Sequence, residues 1–194
     1  MLTHNSKANE YARNHGLAQF SVYQGRWSAA QRDFERDIIP MARDEKMALA
    51  PWGALGGGTF KTEQQRTSKE GRSVPSPEEA VRVSRVLEDI ADEKGTVITS
   101  VALAYVMHKS PYVFPIVGGR SVGHLRQNIE ALTLRLGAEE IRRIEGAVPF
   151  ELGFPHDFLW KGGVPENPAE VWLTELAGKT DHVPLPRPIG PAQE

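Results

Sequence analysis

The chain has 194 residues, 40% of them hydrophobic, a composition that predicts a globular protein with one sizeable core. Its 23 Lys and Arg residues against 25 Asp and Glu give a net charge of -2, so no basic excess is available to hold nucleic acid. It contains no cysteine, no apolar stretch of membrane-spanning length and no apolar signal segment, so we expect a cytoplasmic protein without a membrane partner.

The first half of the chain alternates helical and strand-like segments. Helix-forming residues over 6–15 end at Gly16, a residue typical of helix ends. A β-prone run over 20–24 is followed by a helical pattern over 34–45, and a second buried strand is predicted over 47–51. Residues 61–76 are polar without an apolar period, which predicts a loop.

The next helix has the clearest boundary signals. Ser76 is predicted as the N-cap, Pro77 as the first helical residue, and Glu79 as the partner that closes an S-x-x-E capping box. Gly95 is expected to end the helix. The apolar stripe of this helix is formed by Val83, Leu87, Ile90 and Ala91.

A more apolar helix over 100–108 and a third strand over 112–117 continue the alternation, and helices begin near Ser121 and Ala138. Strands separated by helices predict parallel pairing, with ligands bound at the carboxyl ends of the strands. We expect a barrel-derived domain over 1–148. Residues 149–194 form an extension with a short helix over 169–176 and an extended, poorly ordered end over 183–188.

The segment from Pro115 to Asn128 is the most informative part of the sequence. A short apolar run ends in two glycines and Arg120, and a polar helix start follows at once. Glycines allow close approach of the backbone, helix N–H groups point at an anion, and arginine supplies a fork of donors. Read alone, the pattern is equally compatible with a turn and a solvated arginine. The six histidines show no metal-ligand spacing, so no metal is expected.

Several segments resemble the carboxy-terminal half of aldo-keto reductases, in the fungal branch of aryl-alcohol dehydrogenases and norsolorinic acid reductases. They are residues 6–9, 20–27, 33–42, 48–52, 56–58, 117–120 with 124–125 and 128, and 148–150 with 153–155. The resemblance implies an α/β fold, a partial (β/α)8 TIM barrel comprising about the last three β/α units and a C-terminal extension. It also implies the family's NADP(H) cofactor, in a weak or vestigial site, and the reduction of carbonyl groups and aryl aldehydes.

The resemblance assigns ten residues to the cofactor. Gln24 would face the nicotinamide carboxamide and Trp52 would stack on the nicotinamide ring. The loop with Gly53, Leu55 and Gly57 would line the pyrophosphate. The adenosine side, comprising the 2′-phosphate and the adenine, would be held by Gly119, Arg120, His124, Gln127 and Asn128.

The family's catalytic Asp, Tyr, Lys and His belong to the other half of the barrel. We therefore expect a truncated polypeptide that keeps the phosphate-binding half and is inactive alone. The alternative is a non-enzymatic binding or oligomerisation module. Three strands leave open edges, which favours a homo-oligomer or a complementary barrel half as partner. The interior side chains expected to lose their cover are Phe20, Val22, Leu49, Phe114 and Ile116.

Overall fold

The computed structural model describes residues 2–68, 75–160, 171–178 and 184–191. They fall into two compact units, Met1–Val148 with Pro188–Glu194, and Pro149–Arg187. The strands of the first unit are β1 (Val22–Arg26) and β2 (Ala48–Trp52). Its helices are α1 (Leu2–Asn14), α2 (Ile38–Asp44), α3 (Glu63–Thr67), α4 (Glu78–Lys94), α5 (Ile98–Met107), α6 (Val122–Glu130) and α7 (Ala138–Gly146).

The sheet consists of two parallel strands and an adjoining segment. β1 pairs with β2, and the register places Val22 opposite Ala48 and Arg26 opposite Trp52. The prediction of a regular third strand over 112–117 is wrong, because the segment makes only two isolated parallel bridges to β2. Leu49 N donates to Tyr112 O at 2.9 Å, and the nitrogens of Phe114 and Ile116 donate to β2. The ladder is interrupted at Pro51, which has no N–H to donate.

The core lies between the sheet and the helices behind it. Val83, Leu87 and Ile90 on α4 are fully buried, which confirms the predicted stripe. α5 is buried on all sides, as its composition predicts, and packs against α4. On the β1 side, the rings of Trp27 and Phe34 stack with their centroids 5.4 Å apart.

Two boundary predictions in the middle of the first unit are wrong. Pro77, not Ser76, is the N-cap of α4, and it makes no side-chain cap bond. The Ser76 hydroxyl instead donates to Thr59 O at 3.1 Å, because a tertiary acceptor competes successfully with the local cap. The predicted loop over 61–76 contains helix α3, whose N-cap Thr62 forms a capping box with Gln65. The predicted end of α4 at Gly95 is confirmed.

The inner face of the sheet carries exposed apolar side chains. Phe20 is 57% exposed, Phe114 61% and Ile116 47%. Leu49, expected among them, is 1% exposed, because alternation along β2 directs it to the helix side. A second exposed apolar row follows α6 and the turn after it at helical spacing and comprises Val122, Leu125, Ile129 and Leu132.

An ionic network lies beneath α5. Arg32 donates to Glu35 with its Nε at 3.0 Å and with a terminal nitrogen at 2.7 Å, and Lys109 Nζ lies 3.2 Å from Glu35. Tyr105 donates to the same carboxylate at 3.2 Å, and Glu145 contacts Lys109 and Arg32. Burial would raise the pKa of Glu35, but the bonds and charges of Arg32 and Lys109 outweigh it and hold that pKa below its usual value. The network joins three segments of the core.

The second unit contains α8 (His156–Leu159) and α9 (Trp172–Ala177), with an antiparallel bridge between Trp160 and Val171. The predicted helix over 169–176 is displaced, and residues 169–170 lie outside the described ones. Residues 184–188 have no regular structure, while residue 183 lies outside the description. Within the described ranges of the chain, no helix combines the length and apolar character that a bilayer crossing needs.

Candidate functional site

A cleft of about 600 Å³ opens in the first unit, beside the carboxyl ends of β2 and the adjoining segment. It is bounded by the loop after β2, the approach to α6, one face of α6 and the start of α5. Eight of the ten predicted cofactor residues line it, namely Gly53, Leu55, Gly57, Gly119, Arg120, His124, Gln127 and Asn128. The sequence positions 53–57 and 119–128 are thus brought together in one concave site.

The loop after β2 turns sharply because its first residue can adopt a left-handed conformation. Gly53 has a φ of +76°, which side chains rarely tolerate. The loop continues through a short 3₁₀ turn over Gly56–Gly58, and Thr59 Oγ1 donates to Gly56 O at 2.7 Å. This turn presents backbone along one wall of the cleft.

The opposite wall is the N-terminus of α6. The Ser121 hydroxyl accepts from His124 N at 3.2 Å, so Ser121 is the N-cap and the predicted helix start near Ser121 is confirmed. Arg120 N donates to His124 Nδ1 at 3.3 Å. A Cβ added to Gly119 would lie 2.9 Å from the Cβ of His124, so only glycine fits there. The first N–H groups of α6, at Val122 and Gly123, have no acceptor among the described residues.

The polar side chains of the cleft have few protein partners. The Arg120 guanidinium forms no ion pair or hydrogen bond with any described residue. Asn128 is 8% exposed, lines the cleft and has no hydrogen-bond partner in the described chain. Ser100 Oγ donates to Gln127 O at 3.2 Å and ties α6 to α5. A guanidinium without a partner among the described residues, free N–H groups and a buried amide suit a phosphorylated ligand.

The structure does not bring Gln24 and Trp52 into this cleft. Gln24 lies exposed on the inner face of β1, opposite Ala50. Trp52 is 45% exposed at the end of β2, and the Arg26 guanidinium carbon lies 5.7 Å from the centroid of its ring. Their contacts with the nicotinamide stay a prediction.

Sequence reasoning missed part of the lining. Gln65 lines the cleft from α3, and the Thr62-x-x-Gln65 capping box was the signal that could have located this helix. Val97, Ile98 and Thr99 contribute the start of α5. Their position follows from Gly95, which ends α4 and directs the chain into the next helix close to the cleft.

A sequence model described as the Aldo/keto reductase family matches residues 3–149. The chain belongs to this family. It is 52% identical to norsolorinic acid reductase B of Dothistroma septosporum, over 96% of this chain and 51% of that protein. It is 47% identical to an aryl-alcohol dehydrogenase of Pestalotiopsis microspora, over 97% of this chain and 50% of that protein. The chain therefore spans about half the length of these curated relatives, and the expected fungal branch is confirmed.

A solved structure supports the fold. A thermostable aldo-keto reductase in complex with the inhibitor epalrestat aligns with a TM-score of 0.51 and 25% sequence identity. The alignment covers 66% of this chain and 39% of that one. Together with the family match, it confirms an α/β chain that forms part of an aldo-keto reductase barrel.

Proposed function

We propose that this chain supplies the phosphate-binding half of an NADP(H) site. The observation that supports it best is the cleft, which gathers eight of the ten residues assigned by the resemblance around a guanidinium without a partner among the described residues. The residues present suit this cofactor. The approach at Gly119 is too close for any side chain, Arg120 is uncompensated, and Asn128 is a buried amide open to the cleft.

In this proposal each wall has its own part of the cofactor. Arg120, His124 and the first N–H groups of α6 hold the 2′-phosphate of the adenosine. Gln127 and Asn128 lie on the adenine side, and the backbone of residues 53–57 lines the diphosphate. Charge-assisted hydrogen bonds at a helix start supply most of the affinity.

The family reaction, NADPH-dependent reduction of a carbonyl or aryl aldehyde, is proposed for the complete barrel. When bound, the cofactor supplies the hydride, while the residues of this chain bind and orient it. Carbonyl reduction also needs a positioned proton donor. None of the four tyrosines, all of them in described segments, lines the cleft, and Tyr105 is buried against Glu35 instead. We expect the 194-residue chain alone not to oxidise NADPH with an aryl aldehyde, and robust turnover by homogeneous protein would contradict this.

Calorimetric titration tests the cofactor assignment. The chain should bind NADPH more tightly than NADH, because only NADPH carries the 2′-phosphate. Arg120→Ala should weaken NADPH binding about tenfold or more and leave NADH binding nearly unchanged. Arg126→Ala is the matched control, since Arg126 is an exposed arginine of the same helix that does not line the cleft. Equal NADPH affinity of the two variants would contradict the phosphate assignment.

The second candidate function is that of a binding or oligomerisation module. It is favoured by the exposed apolar side chains of the inner sheet face and by the apolar row on α6. We propose that the isolated chain covers these surfaces with a second copy of itself, because such rows rarely remain exposed on monomers. Light scattering at low micromolar concentration should show a homo-oligomer, and a cooperative monomer would contradict it. The cytoplasmic location stays a prediction.

A further inference from the structure

Arg26 is the last residue of β1 and projects from the inner face of the sheet, on the same side as Gln24. Its cross-strand partner is Trp52, and its guanidinium carbon lies 5.7 Å from the centroid of that indole ring. An arginine over a tryptophan face gains cation–π stabilisation and loses much of its freedom. The Arg26 guanidinium is exposed, and this contact favours its position over Trp52 at the carboxyl end of the sheet.

The Arg26 guanidinium has no anionic partner in the described chain. None of the ion pairs or hydrogen bonds among the described residues uses the Arg26 guanidinium. Two other arginines of the first unit differ from it, since Arg32 contacts Glu35 at 2.7 Å and Arg13 contacts Glu45 at 2.7 Å. Arg26 is therefore available to an anion from outside these segments.

The position of Arg26 indicates which anion this is. Its Cγ lies 3.7 Å from the place where a Cβ on Gly53 would be, so the arginine stem fills the space beside the first residue of the loop. β2 lies between β1 and the segment that leads to Arg120. Arg26 and Arg120, whose guanidinium groups have no anionic partner among the described residues, thus lie at or after the carboxyl ends of the two segments on either side of β2, and the backbone of residues 53–57 begins at its carboxyl end.

The geometry points to Arg26 as a binding residue for the diphosphate of the nicotinamide dinucleotide. This inference rests on the proposed function. It adds a binding residue that lies outside the cleft assigned to the adenosine side of the cofactor. A phosphorylated dinucleotide carries negative charge at two separate places, the 2′-phosphate and the diphosphate. Arg120 serves the first and Arg26 the second, while the Trp52 ring orients the Arg26 fork and the missing side chain of Gly53 gives it room.

Calorimetry with two ligands separates the two arginines. NADPH contains both charged groups, whereas adenosine 2′-monophosphate contains only the first. Arg26→Met keeps an unbranched apolar stem against Trp52 and Gly53 but removes the charge. We expect it to raise the Kd for NADPH about tenfold to a hundredfold and to change the Kd for adenosine 2′-monophosphate less than about twofold. Arg26→Lys keeps a positive charge but loses the planar guanidinium fork, so its Kd for NADPH should lie between those of the unaltered chain and Arg26→Met. Arg126→Ala should change the Kd of neither ligand.

The outcomes distinguish this inference from the proposed function. If Arg26→Met binds NADPH like the unaltered chain while Arg120→Ala loses both ligands, the Arg26 assignment is overturned and the proposed function stands. If Arg26→Met weakens the binding of both ligands equally, Arg26 does not bind the diphosphate specifically and the assignment is likewise overturned. If the unaltered chain binds neither ligand, the proposed function fails and the assignment fails with it.

Discussion

Substituting alanine for Gly119 tests the architecture of the cleft with a single added methyl group. The new Cβ would lie 2.9 Å from the Cβ of His124, whereas carbon atoms in contact prefer about 3.5–4.0 Å. The His124 Cβ is attached directly to the backbone of α6 and cannot swing aside. The approach loop must therefore move away by roughly 0.6–1 Å, and pressing it back costs about 1–3 kcal/mol, as overpacking does elsewhere.

If ligand binding requires the original loop position, this cost appears in the affinity. Calorimetry should show that Gly119→Ala raises the Kd for NADPH about tenfold, within a range of about 5- to 150-fold. The control is Gly118→Ala, because a Cβ on Gly118 meets nothing within 4 Å. Equal NADPH affinity of both variants, each with an unchanged urea midpoint, would refute the close-approach argument.

Two further predictions concern stability. Gly25→Ala should destabilise the chain by about 1–3 kcal/mol in urea unfolding, because its Cβ would lie 2.6 Å from Phe34 Cε2 and Phe34 is fixed by its stack on Trp27. Glu35→Gln should cost about 1.5–3 kcal/mol near neutral pH, since it leaves the two partly buried cations, Arg32 and Lys109, with Glu145 as their remaining carboxylate partner. Because the folded pKa of Glu35 lies below its usual value of 4.5, its contribution is present above that pH and lost as the pH falls further.

Each of these predictions has a control that isolates the cause. A Cβ on Gly146 meets nothing within 4 Å, so Gly146→Ala should be neutral or slightly stabilising. Equal stability of the alanine variants at positions 25 and 146 would contradict the crowding argument. For Glu35, unfolding free energies of the unaltered chain and the Gln variant should converge as the pH falls below 4.5 and through the lowered pKa of the folded state. A difference that is constant with pH would show that the ionised carboxylate is not responsible.

Local signals predicted the elements well where the decisive interactions are local. The stripe of α4, its end at Gly95 and the Ser121 cap of α6 each depend on residues within a turn or two. The prediction of Ser76 as a cap was wrong because a non-local interaction decides there. The Ser76 hydroxyl donates to Thr59 O, which is distant in sequence, instead of capping the helix. The prediction of a regular third strand was wrong because Pro51, on the neighbouring strand, has no N–H and interrupts the ladder of hydrogen bonds.

The candidate site was predicted largely through resemblance and motif spacing. Glycines and Arg120 before a capped helix identified the anion-binding wall, and the loop after β2 identified the other. Gln65 was missed because α3 lacks the apolar period by which helices are recognised. The role proposed for Arg26 could not be found in the sequence, because it depends on the contact with Trp52, and only the strand register shows that the two residues are paired.

The contrast between Trp27 and Trp52 gives the molecule two built-in optical reporters. Trp27 is fully buried in a stack with Phe34, whereas Trp52 is 45% exposed beneath a guanidinium. An indole in an apolar interior emits at shorter wavelength than one in contact with water. Loss of the short-wavelength component therefore follows unfolding around Trp27, while changes at the long-wavelength end follow events at the mouth of the site. Trp160 and Trp172 also emit, so in a chain with both replaced by phenylalanine one emission spectrum can separate a variant that fails to fold from one that folds but does not bind.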